Sequence, residues 1–279
     1  MSLPEPLSNS GTAALKSIIR SPSQTLLASD FDGTLAPIVE DPERAYADPD
    51  AVAALGRLGE RVGAIVVITG RPARTAVDLG RFRGVAGLDS MIVVGQYGVE
   101  RWDAATDEYR VPPDPPQLSA VAAELPKILD SLRLGEARIE DKGRAIAVHT
   151  RSLPDPNAAL ADLADPLADL ADRHGLVLTP GKSVWEIRTP GVDKGATLRA
   201  IVDETAARHV IFAGDDLGDL PAFRAVRELA AEGVDGLLVC SASTEEDALT
   251  ELSDVIVDGP AGFAAWLNEL ADQLSADSR

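Results

Sequence analysis

The chain has 279 residues, 45% of them hydrophobic and 25% charged, with a formal net charge of -19 and a pI near 4.5. That length is generous for one compact domain and comfortable for two. The acidity argues against nucleic acid or an anionic membrane as partner, because both need a basic footprint. A small anionic substrate stays open, since a metal ion and a few lysines can reverse the field inside a cleft.

In chain order, the first apolar run is TLLAS (25–29), followed at once by SDFDGT. A helical pattern follows over 48–62, where Asp48 or Asp50 can cap and Pro49 suits the first turn. AIVVIT (64–69) then leads into TGRP, and MIVVG (91–95) into QYGVE. The rhythm breaks at about residue 105, just before the Pro-rich stretch RVPPDPPQ (110–117). Beyond it the sequence predicts a helix over 118–132, a hairpin over 137–151 turning near Asp141–Gly143, and a helix over 156–174. Two strands over 176–189, joined around Pro180–Gly181, complete this stretch. The first pattern then resumes: a helix over 193–209, VIFAG (210–214) with GDDLGD at its end, GLLVC (236–240) and DVIVD (254–258).

The six apolar runs lack alternation, as parallel strands covered on both faces do. The expected fold is α/β, a doubly wound, mostly parallel, Rossmann-like sheet built from 1–104 and 190–279, with a small α+β insert over 105–189. The lone Cys240 excludes an internal disulfide and suggests a reducing compartment. No signal peptide is evident, and no run approaches the ~20 apolar residues of a membrane span. A cytoplasmic protein is expected, with no nucleic-acid or membrane partner, as a monomer or, alternatively, a dimer.

Ligands of open α/β sheets bind beyond the C-terminal ends of the strands, and three polar clusters fall there. They are Asp30 and Asp32 after the first run, Thr69 to Pro72 after the second, and Asp215, Asp216 and Asp219 after VIFAG. Lys194 opens a helix, where a cation is poorly matched to the dipole and suggests a nearby anion. A hydroxyl with backbone N–H groups at the helix start after TGR would also suit an anion. Five carboxylates converging on one crevice cannot all stay ionised without a cation. Oxygen ligands without His or Cys favour Mg²⁺. With a lysine and a threonine hydroxyl, the simplest chemistry is phosphoryl transfer, in which an aspartate can be the nucleophile. Singly, TGR and DKG are ordinary helix-capping loops, and GDDLGD is balanced between a loop and a metal site. All of them in this order, each in suitable context, are not ordinary.

DFDGT (30–34), TGR (69–71), DKG (193–195) and GDDLGD (214–219) resemble the four motifs of the haloacid dehalogenase-like superfamily of phosphatases. The resemblance implies that Asp30 attacks phosphorus, that Asp32 is acid and then base, and that Thr69 and Lys194 bind the transferring group. It implies Mg²⁺ on the Asp30 carboxylate, the Asp32 backbone carbonyl and Asp215, with Asp216 or Asp219 assisting. It also implies that the insert is a cap that closes over the cleft and selects the leaving group.

The insert carries Glu140, Lys142, His149, Lys182 and Glu186, donors and acceptors suited to sugar hydroxyls, or equally to a solvated face of cross-strand ion pairs. GxxGxE (95–100), EDKG…AxHxR (140–151), GKxxxEIR…DKG (181–195) and GDD…D…AF (214–223) are similar to the trehalose-6-phosphate phosphatases. This implies substrate contacts from Glu140, Lys142, Lys182 and Glu186, with Arg71, Gly98 and Glu100 on the core side; His149 is counted with them. Thr69 in place of serine, QYGVE, Asp219–Leu220 and Thr150 depart from the family's usual residues. The expected function is hydrolysis of trehalose 6-phosphate through an aspartyl phosphate. The alternatives are another sugar phosphate (sucrose 6-phosphate, mannosyl phosphoglycerate), a phosphosugar mutase, or a non-catalytic sugar-phosphate sensor.

Overall fold

The computed structural model describes residues 3–113, 115–181, 183–190, 193–242 and 249–276. The chain forms two compact units, 1–111 with 193–279, and 112–192. The first unit opens with α1 (Asn9–Arg20), β1 (Thr25–Ser29), α2 (Pro49–Gly59), β2 (Ala64–Ile68), α3 (Ala73–Gly80), β3 (Ile92–Gly95), β4 (Glu100–Asp103) and β5 (Glu108–Arg110). The second holds α4 (Pro116–Ser131), β6 (Arg138–Asp141), β7 (Ala145–His149), α5 (Pro156–Arg173), β8 (Val177–Gly181) and β9 (Val184–Arg188). The chain returns to the first with α6 (Lys194–Thr205), β10 (His209–Gly214), α7 (Leu220–Ala231), β11 (Asp235–Ala242), β12 (Val255–Asp258) and α8 (Gly259–Ala276).

The first unit is built on an eight-stranded sheet, ordered β12-β11-β10-β1-β2-β3-β4-β5. Neighbours from β12 to β3 pair in parallel, and β3, β4 and β5 pair antiparallel. Every residue of β1, β2, β3 and β10 is buried, because helices cover both faces. Leu27, Ile65, Val67, Ile211 and Val239 face α1, α2, α3 and α8. The alternate residues, Leu26, Ala28, Val66, Phe212 and Leu238, face α6 and α7. Asp48, rather than Asp50, caps α2, accepting from the N–H groups of Asp50 and Ala51. Chain order runs outward from β1 through β2 and β3 on one side and from β10 through β11 and β12 on the other. The strand order therefore reverses between β1 and β10, which makes this edge the switch point of the sheet.

The second unit is a four-stranded antiparallel sheet, ordered β6-β7-β9-β8, with α4 and α5 packed on one face. Ile146, Val148 and Ile187 turn toward those helices. Glu140, Ala147, Glu186 and Thr179 stand in register in one row, whose side chains take the opposite face.

Two expectations shift. The insert does not begin at 105: β5 pairs with β4 on the large sheet, so the first unit runs on to residue 111. These two strands are short, and β4 has a charged sequence, ERWD, that buries only Glu100 and Trp102. Pro180 and Gly181 are not the turn of the second hairpin. They belong to β8 and pair with Trp185 and Val184. β8 is an edge strand, where a proline costs no ladder hydrogen bond. No helix among the described residues is long and apolar enough to cross a membrane.

Candidate active site

Strand register builds the site. Ser29 of β1 pairs with Ala213 of β10, and the Asp30 N–H donates to the Ala213 carbonyl at 2.8 Å. Asp30 and Asp215 therefore leave adjacent strands on either side of the switch point. Lys194, the first residue of α6, is almost wholly buried and reaches both sides. Its Nζ lies 2.8 Å from Asp30 Oδ1 and 2.7 Å from Asp219 Oδ1. The anion that a lysine at a helix start calls for is this pair of aspartates.

Asp219 is fully buried, and the backbone N–H groups of Asp215 and Asp216 donate to its Oδ2 at 3.0 and 3.4 Å. Asp216 is exposed, and its Oδ1 accepts from the Gly218 N–H at 2.8 Å, closing a capping box with Asp219. Asp215 is different. It is buried, and its Oδ1 has no hydrogen-bond partner. Oxygens of Asp30, Asp215, Asp216 and Asp219 all lie within 4.8 Å of one another.

The charges respond to this crowding. Burial raises the pKa of Asp30 well above the usual aspartate range, against the opposing pull of Lys194 and with the help of Asp219 and Asp216. Burial and then the Asp30, Asp219 and Asp216 charges push Asp215 up to about 9. Burial likewise raises Asp219, which Lys194 opposes. Burial alone would lower Lys194, but the charges of Asp219, Asp30 and Asp216 outweigh it and hold the pKa well above the lysine norm. A buried unpartnered carboxylate oxygen among crowded oxygen ligands, with carboxyls inclined to keep their protons, is a donor set that fits a hard divalent cation.

Asp32 does not join that cluster. Arg71 Nε and Nη2 donate to its two carboxylate oxygens, each at 2.6 Å, while Nη1 donates to the Pro42 carbonyl at 2.8 Å. The guanidinium also lies 5.8 Å from the centre of the Phe31 ring. Gly33 sets the turn directly after Asp32 with φ +75°, and a Cβ there would fall 1.9 Å from Asp215 Oδ2. The Gly33 carbonyl accepts from Ser241 Oγ at 2.7 Å. Thr69 is buried, and its Oγ1 accepts from the Arg71 N–H at 3.1 Å, which leaves the hydroxyl proton to donate.

The start of α3 differs from expectation as an external anion site. Its first N–H, that of Ala73, already donates to Glu100 Oε2 at 2.7 Å. Glu100 is thus placed as a buried cap of α3. Gly98 closes the 96–98 turn, which is tied to the Thr69–Arg71 loop: Gln96 N–H donates to Arg71 O at 2.9 Å and Tyr97 N–H to Thr69 O at 3.0 Å.

In the second unit, Glu140 Oε2 lies 2.7 Å from His149 Nε2 and 3.0 Å from Arg138 Nη2. Burial would raise the Glu140 pKa, but the His149 hydrogen bond, the Lys142 charge and the Arg138 hydrogen bond bring it below the usual glutamate value. Lys142 is ion-paired with the buried Glu186. Lys182 lies outside the described residues. The sequence offered no signal for Ser241, whose partner is 208 residues away, or for the Glu100 cap.

The trehalose-phosphatase family model matches residues 28–254. A curated trehalose-phosphate phosphatase of Mycobacterium tuberculosis (strain H37Rv) is 32% identical over 264 residues, covering 88% of this chain and 61% of the relative. The chain thus spans less than two thirds of that relative's length. Among solved structures, the C-terminal domain of Candida albicans trehalose-6-phosphate phosphatase superposes with a TM-score of 0.75 at 20% identity, over 98% of this chain and 99% of that one. A crystal form of the Aspergillus fumigatus trehalose-6-phosphate phosphatase gives 0.70 at 21% identity, over 96% and 99%. The fold is the one these proteins share. Because the matched segment runs from the strand that delivers Asp30 to the threshold of the last strand of the sheet, the chain belongs to the trehalose-phosphatase family.

Proposed function

We propose that this chain hydrolyses the phosphate ester of trehalose 6-phosphate by way of an aspartyl phosphate on Asp30. The observation that carries the reading is the buried Asp30–Lys194–Asp219 triad standing against Asp215 at the switch point. Lys194 holds the Asp30 carboxylate at Oδ1 and helps to neutralise the incoming phosphoryl group. The Asp30 carboxylate attacks phosphorus while the bond to the sugar oxygen breaks, and that oxygen takes a proton from Asp32. Asp32 must first exchange one of its two Arg71 hydrogen bonds for the leaving oxygen. The Asp32 carboxylate then takes a proton from water, whose oxygen attacks phosphorus and frees Asp30 and inorganic phosphate. The Thr69 hydroxyl, whose oxygen accepts from the Arg71 N–H, would donate its proton to a phosphoryl oxygen.

Mg²⁺ would be held by Asp30, the Asp32 carbonyl and Asp215, and would supply charge neutralisation at the phosphoryl oxygens. Asp215 offers the unpartnered oxygen. Asp219, with Lys194 on one oxygen and two N–H groups on the other, suits a supporting role that fixes Lys194 and the 215–216 backbone. Glu140 and Glu186, two strands apart and so about 10 Å from one another, flank the small Ala147 on the face away from α4 and α5. With Lys142 and His149 they present acceptors and donors suited to sugar hydroxyls.

Phosphate release should be measured across trehalose 6-phosphate, sucrose 6-phosphate and mannosyl phosphoglycerate, with and without Mg²⁺. Trehalose 6-phosphate should be preferred, Mg²⁺ should be required, and Asp30→Asn should be inactive while still folded. Preference for another sugar phosphate would move the substrate assignment; full activity of Asp30→Asn would remove the nucleophile.

A further inference from the structure

We propose that Ser241 is a positioning residue of this centre: its hydroxyl holds the turn that aims Asp32 relative to Asp30 and Asp215. The inference rests on the reaction proposed above and adds a residue from β11 that none of the four motifs contains.

Cys240 of β11 pairs with Gly214 of β10, so Ser241 stands abreast of Asp215 at the C-terminal edge of the sheet. It is fully buried. A buried strand position next to Val239 and Cys240 is filled as well by an apolar residue, so the hydroxyl there needs a polar reason. The reason is the Gly33 carbonyl, 2.7 Å from Ser241 Oγ.

Gly33 is fixed from three sides. Its N–H donates to the Ala36 carbonyl at 2.7 Å. Its carbonyl takes the Ser241 proton. Its α-carbon abuts the Asp215 carboxylate so closely that even a methyl group there would overlap Oδ2. The φ of +75° orients both flanking peptides, and the residue just before is Asp32. Without the Ser241 hydroxyl, a buried carbonyl loses its donor and the turn can rotate to seek another. The Asp32 side chain moves with it, away from the leaving oxygen.

The test compares two leaving groups. A sugar alkoxide needs a proton from Asp32 as it departs; p-nitrophenolate does not. Ser241→Ala should lower kcat/KM for trehalose 6-phosphate by roughly 10- to 100-fold, the range typical of outer-shell partners. For p-nitrophenyl phosphate the loss should be only a few-fold. Ser241→Thr, which keeps the hydroxyl, should restore the ratio. If Ser241→Ala does not fold, Ser241→Cys has nearly the same size and a weak donor, and gives the same comparison. Equal losses on both substrates, or none, would overturn the role, because damage to the fold lowers the active fraction without regard to leaving group. Failure of the underlying reading looks different: wild-type chain that cleaves p-nitrophenyl phosphate but not trehalose 6-phosphate. In that case phenyl phosphate, a poorer leaving group, replaces the sugar ester, and the same ratio decides on Ser241.

Discussion

Asp215→Asn should stabilise the metal-free chain, and by more at high pH than at low. Burial and neighbouring carboxylates raise Asp215 from the ordinary 3.8 to about 9 in the folded chain. A carboxyl with a raised folded-state pKa favours folding below its unfolded pKa, and that contribution is lost as pH rises through the folded value. The window here is roughly pH 4 to 9. At 1.36 kcal/mol per pH unit, ionisation of the unfolded state alone sets a ceiling of about 4 kcal/mol at pH 7. Asparagine has nearly the same shape and nothing to ionise. Taking ~2–4 °C per kcal/mol for domains of this size, Asp215→Asn should melt several degrees above wild type at pH 8 in EDTA. The gap should close toward pH 5. Saturating Mg²⁺ should reverse the order, since a bound divalent cation stabilises only the chain that keeps its carboxylate. Melting curves from pH 5 to 9, with EDTA and with Mg²⁺, make the measurement. Parallel curves for the two chains in EDTA would refute the claim that Asp215 is destabilised by its own surroundings.

Gly33→Ala meets two costs. The left-handed φ costs ~1–2 kcal/mol for a residue with a Cβ, and the Asp215 carboxylate must retreat from a 1.9 Å overlap. A displacement on the order of 1 Å lowers turnover roughly 100-fold; wild-type kcat in the alanine variant would contradict the contact. Arg71→Lys replaces a two-point hold on Asp32 with a single ammonium that cannot span both oxygens. It should lower kcat/KM for trehalose 6-phosphate about tenfold, with the loss much smaller on p-nitrophenyl phosphate. A steady-state comparison of the two substrates reads this directly, and an unchanged ratio would separate Arg71 from the proton transfer.

The sheet was legible because its strands are short apolar runs bounded by glycine and acidic residues, and TLLAS, AIVVI and VIFAG map onto β1, β2 and β10. The positions of Asp30, Thr69 and Asp215 at strand ends and of Lys194 at a helix start were legible because these are local features, marked within a few residues. What escaped depends on contacts between distant segments. β4 and β5 are short, and ERWD has no apolar run to mark a strand, although Trp102 is buried on the sheet. The resemblance implies a substrate contact for Glu100, and only the fold shows that one of its oxygens accepts from the Ala73 N–H. Whether Arg71 addresses a phosphate or Asp32 depends on a rotamer, and Pro180 is tolerated in a strand only because β8 lies at an edge.

The balance of charge within the centre bears on the order of events in the proposed reaction. Among the described residues, Asp30, Asp215, Asp216 and Asp219 share one ammonium, Lys194, while Arg71 is already committed to Asp32. Fully ionised, that set repels a phosphate dianion, in a chain whose net charge of -19 offers no compensating field. The raised pKa values of Asp30, Asp215 and Asp219 show the metal-free remedy, which is to hold protons. A proton on Asp30 blocks the attack, however, and a proton on Asp215 removes a metal ligand. In the proposed reaction, protons and a divalent cation would compete for the same oxygens, and the cation would have to displace the protons before a phosphate ester binds productively. Mg²⁺ binding should accordingly release protons and tighten as pH rises. Substrate affinity should then depend on the cation already being in place.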